Sequence, residues 1–124
     1  MGIEVLFKDS EGSFNKYLFH REFACNCQFE DCARTLYDPR VVNAFLIVRR
    51  NFYRPIIVTS AFRCQRHNLI SGGLATSYHL IGIAMDLMPE DPRDLDELEK
   101  LARVYFDVVV RYDTFIHCHM EDRL

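Results

Sequence analysis

The sequence predicts an α+β domain with helices packed on a mostly antiparallel sheet, and three observations carry that prediction. Two segments, 38–52 and 94–105, repeat apolar residues at helical spacing. Four short segments, 56–59, 81–87, 108–110 and 115–119, are β-branched or alternating, as strands are. Short polar turns join them, so the strands can lie beside one another with the helices on one side.

Taken in order, residues 1–18 are mixed and polar, with a turn at Asp9-Ser10-Glu11-Gly12-Ser13, and read as an N-terminal arm or short hairpin. Asp38-Pro39 starts the first long helix, Asp as the cap and Pro at the first helical position. Val41, Val42, Ala44, Phe45, Ile47, Val48 and Phe52 give this helix a broad apolar face, and Pro55 ends it. Ile56-Ile57-Val58-Thr59 is the first central strand. Arg66 to Ser71 is at most a short helix, closed by Gly72-Gly73. A strand over 81–87 carries Asp86. The second long helix places Leu95, Leu98, Leu101, Ala102 and Tyr105 on one side. Val108-Val109-Val110 and Phe115-Ile116-His117-Cys118-His119 are the closing strands, with Tyr112-Asp113-Thr114 as the turn between them.

A chain of 124 residues is long enough for one domain with a core and too short for two. Its 49% hydrophobic and 27% charged residues exclude a disordered class. A net charge of -3 leaves no electrostatic footprint for nucleic acid. No apolar run approaches the ~20 residues of a membrane span. The first residues, with no basic start and no long apolar core, do not read as a signal peptide. Five cysteines are an odd number, which a pure disulfide framework would leave unbalanced. Cys25, Cys27 and Cys32 are close enough to bind a second zinc, with His20 as a further ligand, although Cys-x-Cys is not the usual zinc spacing. Buried thiols, or a bridge from this cluster to Cys64, are the preferred readings.

Residues able to carry chemistry concentrate in two places. In Ser77-Tyr78-His79-Leu80-Ile81-Gly82-Ile83-Ala84-Met85-Asp86, a histidine and an aspartate stand seven positions apart around a glycine. Phe115-Ile116-His117-Cys118-His119 adds one or two histidines on a strand, facing the same way because they are two apart. Two imidazoles and a carboxylate are a three-ligand zinc set, which leaves a fourth position open as catalytic zinc sites do. Asp86 lies between Met85 and Leu87, where a buried carboxylate needs a partner; a metal or a salt bridge meets that need. His79 alone also reads as a surface histidine, and His67, on the short helix, as a packing or surface residue.

The pattern Ser-x-His-x-x-Gly-x-Ala-x-Asp, followed by aromatic-aliphatic-His, resembles the zinc D-alanyl-D-alanine carboxypeptidases and related peptidoglycan peptidases, which share a fold with the hedgehog signalling domain. Glu22-Phe23-Ala24-Cys25 is similar to the family's N-terminal segment. Pro55-Ile56-Ile57-Val58-Thr59-Ser60-Ala61-Phe62-Arg63-Cys64 is similar to its strand leading to an arginine, with Ala61 where the family has Gly. Asn68, Gly72-Gly73 and Phe106-Asp107 match further pieces, so the resemblance runs from about Phe19 to Met120.

The resemblance implies zinc on His79, Asp86 and His117, with His119 behind it or in acid/base chemistry. Relatives with a His-x-His motif support the other register, with His119 as ligand and His117 as acid/base. It implies that Arg63 contacts the scissile carbonyl or a substrate carboxylate, where a guanidinium stabilises a developing oxyanion. It places Ser77 near the substrate terminus; a helix-end salt bridge for Arg63 and a local turn bond for Ser77 are the plainer alternatives. It also brings the segments of Cys25 and Cys64 near each other. One position departs from the family. Arg111 stands where a general-base Glu is expected, and arginine stays protonated. Proton transfer then falls to Asp113, His119 or Glu121, or the protein binds zinc without hydrolysing peptides.

The resemblance therefore implies a zinc metallopeptidase acting on peptidoglycan stem peptides, as a D-Ala-D-Ala carboxypeptidase or related endopeptidase, at the bacterial cell wall. Small stand-alone members of this kind are encoded by phages and bacteria. The alternative is a non-catalytic zinc-binding member of the same fold, with a structural or binding role such as a virion component.

Overall fold

A computed structural model describes residues 2–73 and 77–121. The chain is α+β, with three antiparallel sheets among the described residues and helices packed on the largest of them. That sheet has the order β5-β6-β8-β7, built from β5 (Ile56–Ser60), β6 (Ala84–Pro89), β8 (Ile116–His119) and β7 (Val108–Arg111), and every neighbouring pair is antiparallel.

Alternation along these strands divides the sheet into two faces. Met85 and Leu87 of β6, Ile116 and Cys118 of β8 and Val109 of β7 are buried on one face, with Met85 opposite Cys118 and Leu87 opposite Ile116. The helix α4 (Leu95–Tyr105) packs against β6, β7 and β8 and buries Leu95, Leu98 and Ala102. The longer α2 (Pro39–Phe52) packs in turn on α4 and buries Val41, Val42, Ala44, Phe45, Val48 and Phe52. Each large side chain so buried stabilises the fold by about 1.5–3 kcal/mol relative to exposure. The other face of the sheet carries Asp86 and His117, which are opposite each other in register.

The start of α2 is as its sequence suggests: the Asp38 side chain accepts from the Arg40 N–H and Pro39 opens the helix. Ile47 departs from expectation. It is exposed, because it lies on the edge of an apolar stripe wider than the surface α4 covers. The helix ends at Phe52, one turn before Pro55 acts, because Tyr53 takes a left-handed conformation and its N–H returns to the Arg49 carbonyl.

The N-terminal segment is not a self-contained hairpin. β1 (Glu4–Phe7) pairs with β4 (Arg34–Tyr37), while the local hairpin joins β2 (Ser13–Asn15) to β3 (Leu18–Phe19). A short helix α1 (His20–Phe23) follows, and its Phe23 is fully buried with its carbonyl accepting from the Phe62 N–H. α3 (Gln65–Ile70) is the expected short helix. The strand expected over 81–87 begins at Ala84 instead. Tyr78–Ile81 forms a 3-10 turn that closes on Gly82, whose φ of 73° is left-handed. A Cβ on Gly82 would lie 2.0 Å from the Leu36 carbonyl oxygen, so the close approach of β4 demands glycine there. Phe115 precedes β8 rather than joining it, and its ring stacks on Tyr112 across the turn.

Candidate metal centre

His79 is presented by the 3-10 turn between α3 and β6. The Ser77 hydroxyl caps that turn by accepting from the His79 N–H at 3.2 Å, and the His79 carbonyl accepts from the Arg63 N–H at 3.1 Å. The His79 side chain is buried, with Nδ1 2.6 Å from the Ala61 carbonyl oxygen. A carbonyl only accepts, so Nδ1 carries the proton and Nε2 presents a lone pair.

That nitrogen lies 3.2 Å from Asp86 Oδ1 and 3.2 Å from His117 Nδ1, and the last two are 3.0 Å apart. Three ligand atoms from three segments thus form a nearly equilateral triangle. A tetrahedral shell with metal–ligand distances of about 2.0–2.1 Å has edges of about 3.3–3.4 Å, so the triangle matches one face of such a shell within a few tenths of an ångström. The chemistry of the donors agrees. A neutral His79 Nε2 and a carboxylate oxygen both offer lone pairs, and they repel unless a proton or a cation lies between them. His117 turns its other nitrogen, Nε2, to His119 Nδ1 at 2.8 Å. Donation from His117 Nε2–H to His119 frees His117 Nδ1 for the triangle, as partners behind metal-bound histidines do.

Electrostatics keep Asp86 ionised. With no metal bound, protons on the imidazoles take the place of a cation: burial pushes the Asp86 carboxyl up, but hydrogen bonds from protonated His117 and His79, with their charges, outweigh that and bring it down to about 2. His119 is shifted the other way from an exposed imidazole. Burial and then the neighbouring His117 hold it below its usual value, so it is neutral at pH 7.

The triangle opens into a cavity of about 510 Å³ lined by Arg63, Ser77, Tyr78, Tyr112, Phe115 and His119, among others. The Arg63 guanidinium donates to the Ser77 hydroxyl at 3.3 Å, while its Nε is buried without a partner among the described residues. Tyr78 stacks on His119 with ring centroids 4.1 Å apart.

The structure therefore brings together His79, Asp86, His117, His119, Arg63 and Ser77. It separates Asp113 and Glu121 from them: both are exposed and neither lines the cavity. It also moves Arg111 out of the question of the base. Val110 is the β7 residue that lines the cavity and stands opposite His117. Arg111 points to the helix side, where its guanidinium bonds Asp96 at 2.7 Å and Glu99 at 2.8 Å. The strand alternation that aims Val110 at the cavity aims Arg111 away from it. Tyr78 and Tyr112 are lining residues that the sequence did not single out. The one available signal for Tyr78 was its position beside His79.

A model of the Peptidase M15 family matches residues 16–119, a span that contains the triangle and the cavity-lining side chains named above. No curated protein matches the chain.

Proposed function

The chain belongs to the Peptidase M15 family, and on that premise we propose that it is a zinc peptidase that hydrolyses peptidoglycan stem peptides, as a D-Ala-D-Ala carboxypeptidase or related endopeptidase. The observation that carries the reading is the triangle of His79 Nε2, Asp86 Oδ1 and His117 Nδ1 opening into a cavity that also holds an arginine.

His79, Asp86 and His117 would hold the zinc, which when bound supplies Lewis acidity toward a substrate carbonyl at neutral pH. The chain's own groups set up the rest. Ala61 fixes the His79 tautomer and His119 orients the His117 ring. Asp86 contributes the negative charge that favours a cation. Arg63 binds a substrate oxygen through the guanidinium face not used by Ser77, and suits either a scissile carbonyl or a terminal carboxylate. Proton transfer is assigned to His119, an imidazole of the cavity lining outside the triangle, which takes up a proton at Nδ1 when that nitrogen is released from His117 Nε2–H. The open cavity suits a short peptide end, and a cell-wall substrate is the one the family resemblance implies.

A second reading has its own observation. Among the described lining residues Asp86 is the sole carboxylate, and it belongs to the triangle. A zinc-binding domain with a structural or binding role, such as a virion component, needs no separate base.

Zinc content and turnover of a D-Ala-D-Ala stem peptide, measured together, separate the two. Zinc-dependent hydrolysis by the wild type, reduced about 10²–10⁴-fold in His119→Ala assayed at saturating zinc, is expected from a lost acid/base group. Bound zinc with no hydrolysis of stem peptides or purified peptidoglycan would sink the peptidase reading and favour the second.

A further inference from the structure

We propose that Cys25, Cys27, Cys32 and Cys64 form a second, structural zinc site, a closed four-thiolate centre separate from the histidine triangle. Their sulfur atoms all lie within 4.8 Å of one another. Cys27 and Cys64 are 3.8 Å apart, Sγ to Sγ. A disulfide needs about 2.0 Å. The edge of a tetrahedron with Zn–S of about 2.3 Å is about 3.8 Å, the spacing found. All five cysteines are free, so the four thiols are available as ligands. His20, the fourth ligand the sequence suggested, is engaged elsewhere, with Nδ1 2.7 Å from the Ser10 hydroxyl.

The surroundings are those that thiolates require. The Cys64 N–H donates to Cys25 Sγ at 3.3 Å, and the His67 N–H to Cys64 Sγ at 3.4 Å. The Cys27 N–H also serves Cys25, and the Phe29 N–H serves Cys27. The Lys8 ammonium donates to Cys27 Sγ at 3.1 Å and to the Cys27 carbonyl at 2.9 Å. Four thiolates and one dication carry a net charge of -2, and Lys8 offsets part of it. Burial pushes the Cys27 thiol up, but Lys8, the Phe29 N–H and the neighbouring thiols bring it down to about 6, whereas Cys25 and Cys32 are pushed up chiefly by burial. Zinc binding would release the protons of the thiols to solvent.

The position in the fold gives the site its purpose. Residues 24–33 connect α1 to β4 without a helix or a strand. Such a stretch is longer than most connections in a compact domain. Three ligands come from it, and Cys64 caps the N-terminus of α3, directly after Arg63. A metal here staples the loop to the segment that carries the cavity arginine, and through Lys8 to the end of β1. Thiolate donors suit zinc, and four of them leave no open position, as in structural zinc sites.

The test uses the whole chain, purified under reducing conditions with zinc. Wild type is expected to hold two zinc equivalents. His79→Ala/Asp86→Ala should keep one, and cobalt substituted into that variant should show thiolate-to-metal charge-transfer absorption in the near ultraviolet. Cys32→Ser and Cys64→Ser should each lose the thiolate-bound equivalent. Should these variants fold poorly, cobalt-loaded wild type still decides, since only sulfur ligation gives the charge-transfer band. Wild type with a single zinc and no such band after cobalt loading overturns the proposal, as does a Cys27–Cys64 disulfide in the reduced-buffer protein by mass spectrometry. Loss of the histidine-bound equivalent alone bears on the peptidase reading and leaves this site intact.

Discussion

Nδ1 of His79 lies 2.6 Å from the carbonyl oxygen of Ala61, and this contact decides which nitrogen of the ring faces Asp86 and His117. Because Nδ1–H donates to the carbonyl, Nε2 is left as a lone pair aimed at the centre of the triangle. His79→Ala and Asp86→Ala should each lose one zinc equivalent by metal analysis, and chelation of wild type should lower its melting temperature, with recovery on adding zinc. Full zinc occupancy in both variants would remove the histidine triangle as a metal site.

Asp86 should give the metal-free protein an acid-sensitive component of stability. Its folded pKa, about 2, is below the unfolded value of 3.8. The contribution is therefore complete above about pH 4 and disappears as pH falls toward 2. A shift of this size corresponds to about 2 kcal/mol. Urea unfolding of metal-free wild type and Asp86→Asn should show a stability gap of that order at pH 5 that closes by pH 2. A gap independent of pH in this window contradicts the assignment.

The bond from His117 to His119 makes a prediction about affinity rather than presence of metal. His119→Ala removes the group that orients the His117 ring, which for partners of this kind costs about 10–100-fold in metal affinity. Competition against a chromogenic chelator should show the weakening. Unchanged affinity would mean that the 2.8 Å contact does not hold the ring.

Arg111 offers a clean negative. Because it faces α4 and pairs with Asp96 and Glu99, Arg111→Glu should neither raise turnover nor change zinc content. It should lower the melting temperature modestly, since three carboxylates then share one surface. A rate increase in this variant would show that β7 presents Arg111 to the cavity after all.

Gly82→Ala tests the backbone that delivers His79. The new methyl meets the Leu36 carbonyl, and alanine disfavours a φ of 73°. A cost of at least about 1–3 kcal/mol is expected, with weaker zinc binding from displacement of the 3-10 turn. Wild-type stability and affinity in this variant would show that β4 yields at no cost.

Some of this protein was legible along the chain because its causes are local. Asp38-Pro39 announced α2 by capping chemistry, and the 3.6-residue period announced α4. His79, Asp86 and His117 were named as a set by the family resemblance, while residue types and spacing alone left His117 and His119 both open as the third ligand. Other features depended on neighbours far away in sequence. The edge of the α2 stripe at Ile47 was decided by how much surface α4 covers. The pairing of β1 with β4 rather than with a local partner followed from a chain reversal some thirty residues long.

What the sequence determined by itself was the α+β class, the family motif and the residue types able to donate to a metal, since these follow from periodicity and residue identity within short windows. What only the tertiary structure decided was direction and company. Strand register put Val110 rather than Arg111 toward the cavity, left Asp113 and Glu121 outside it, and set His119 behind His117. Packing brought Cys64 to three cysteines more than thirty residues earlier and so turned an unusual Cys-x-Cys spacing into a cluster of four sulfurs within 4.8 Å of one another. The physical reason is the same in both cases. A side chain's identity is carried by its own residue, but its orientation and partners are set by backbone pairing and burial that involve segments remote in the chain.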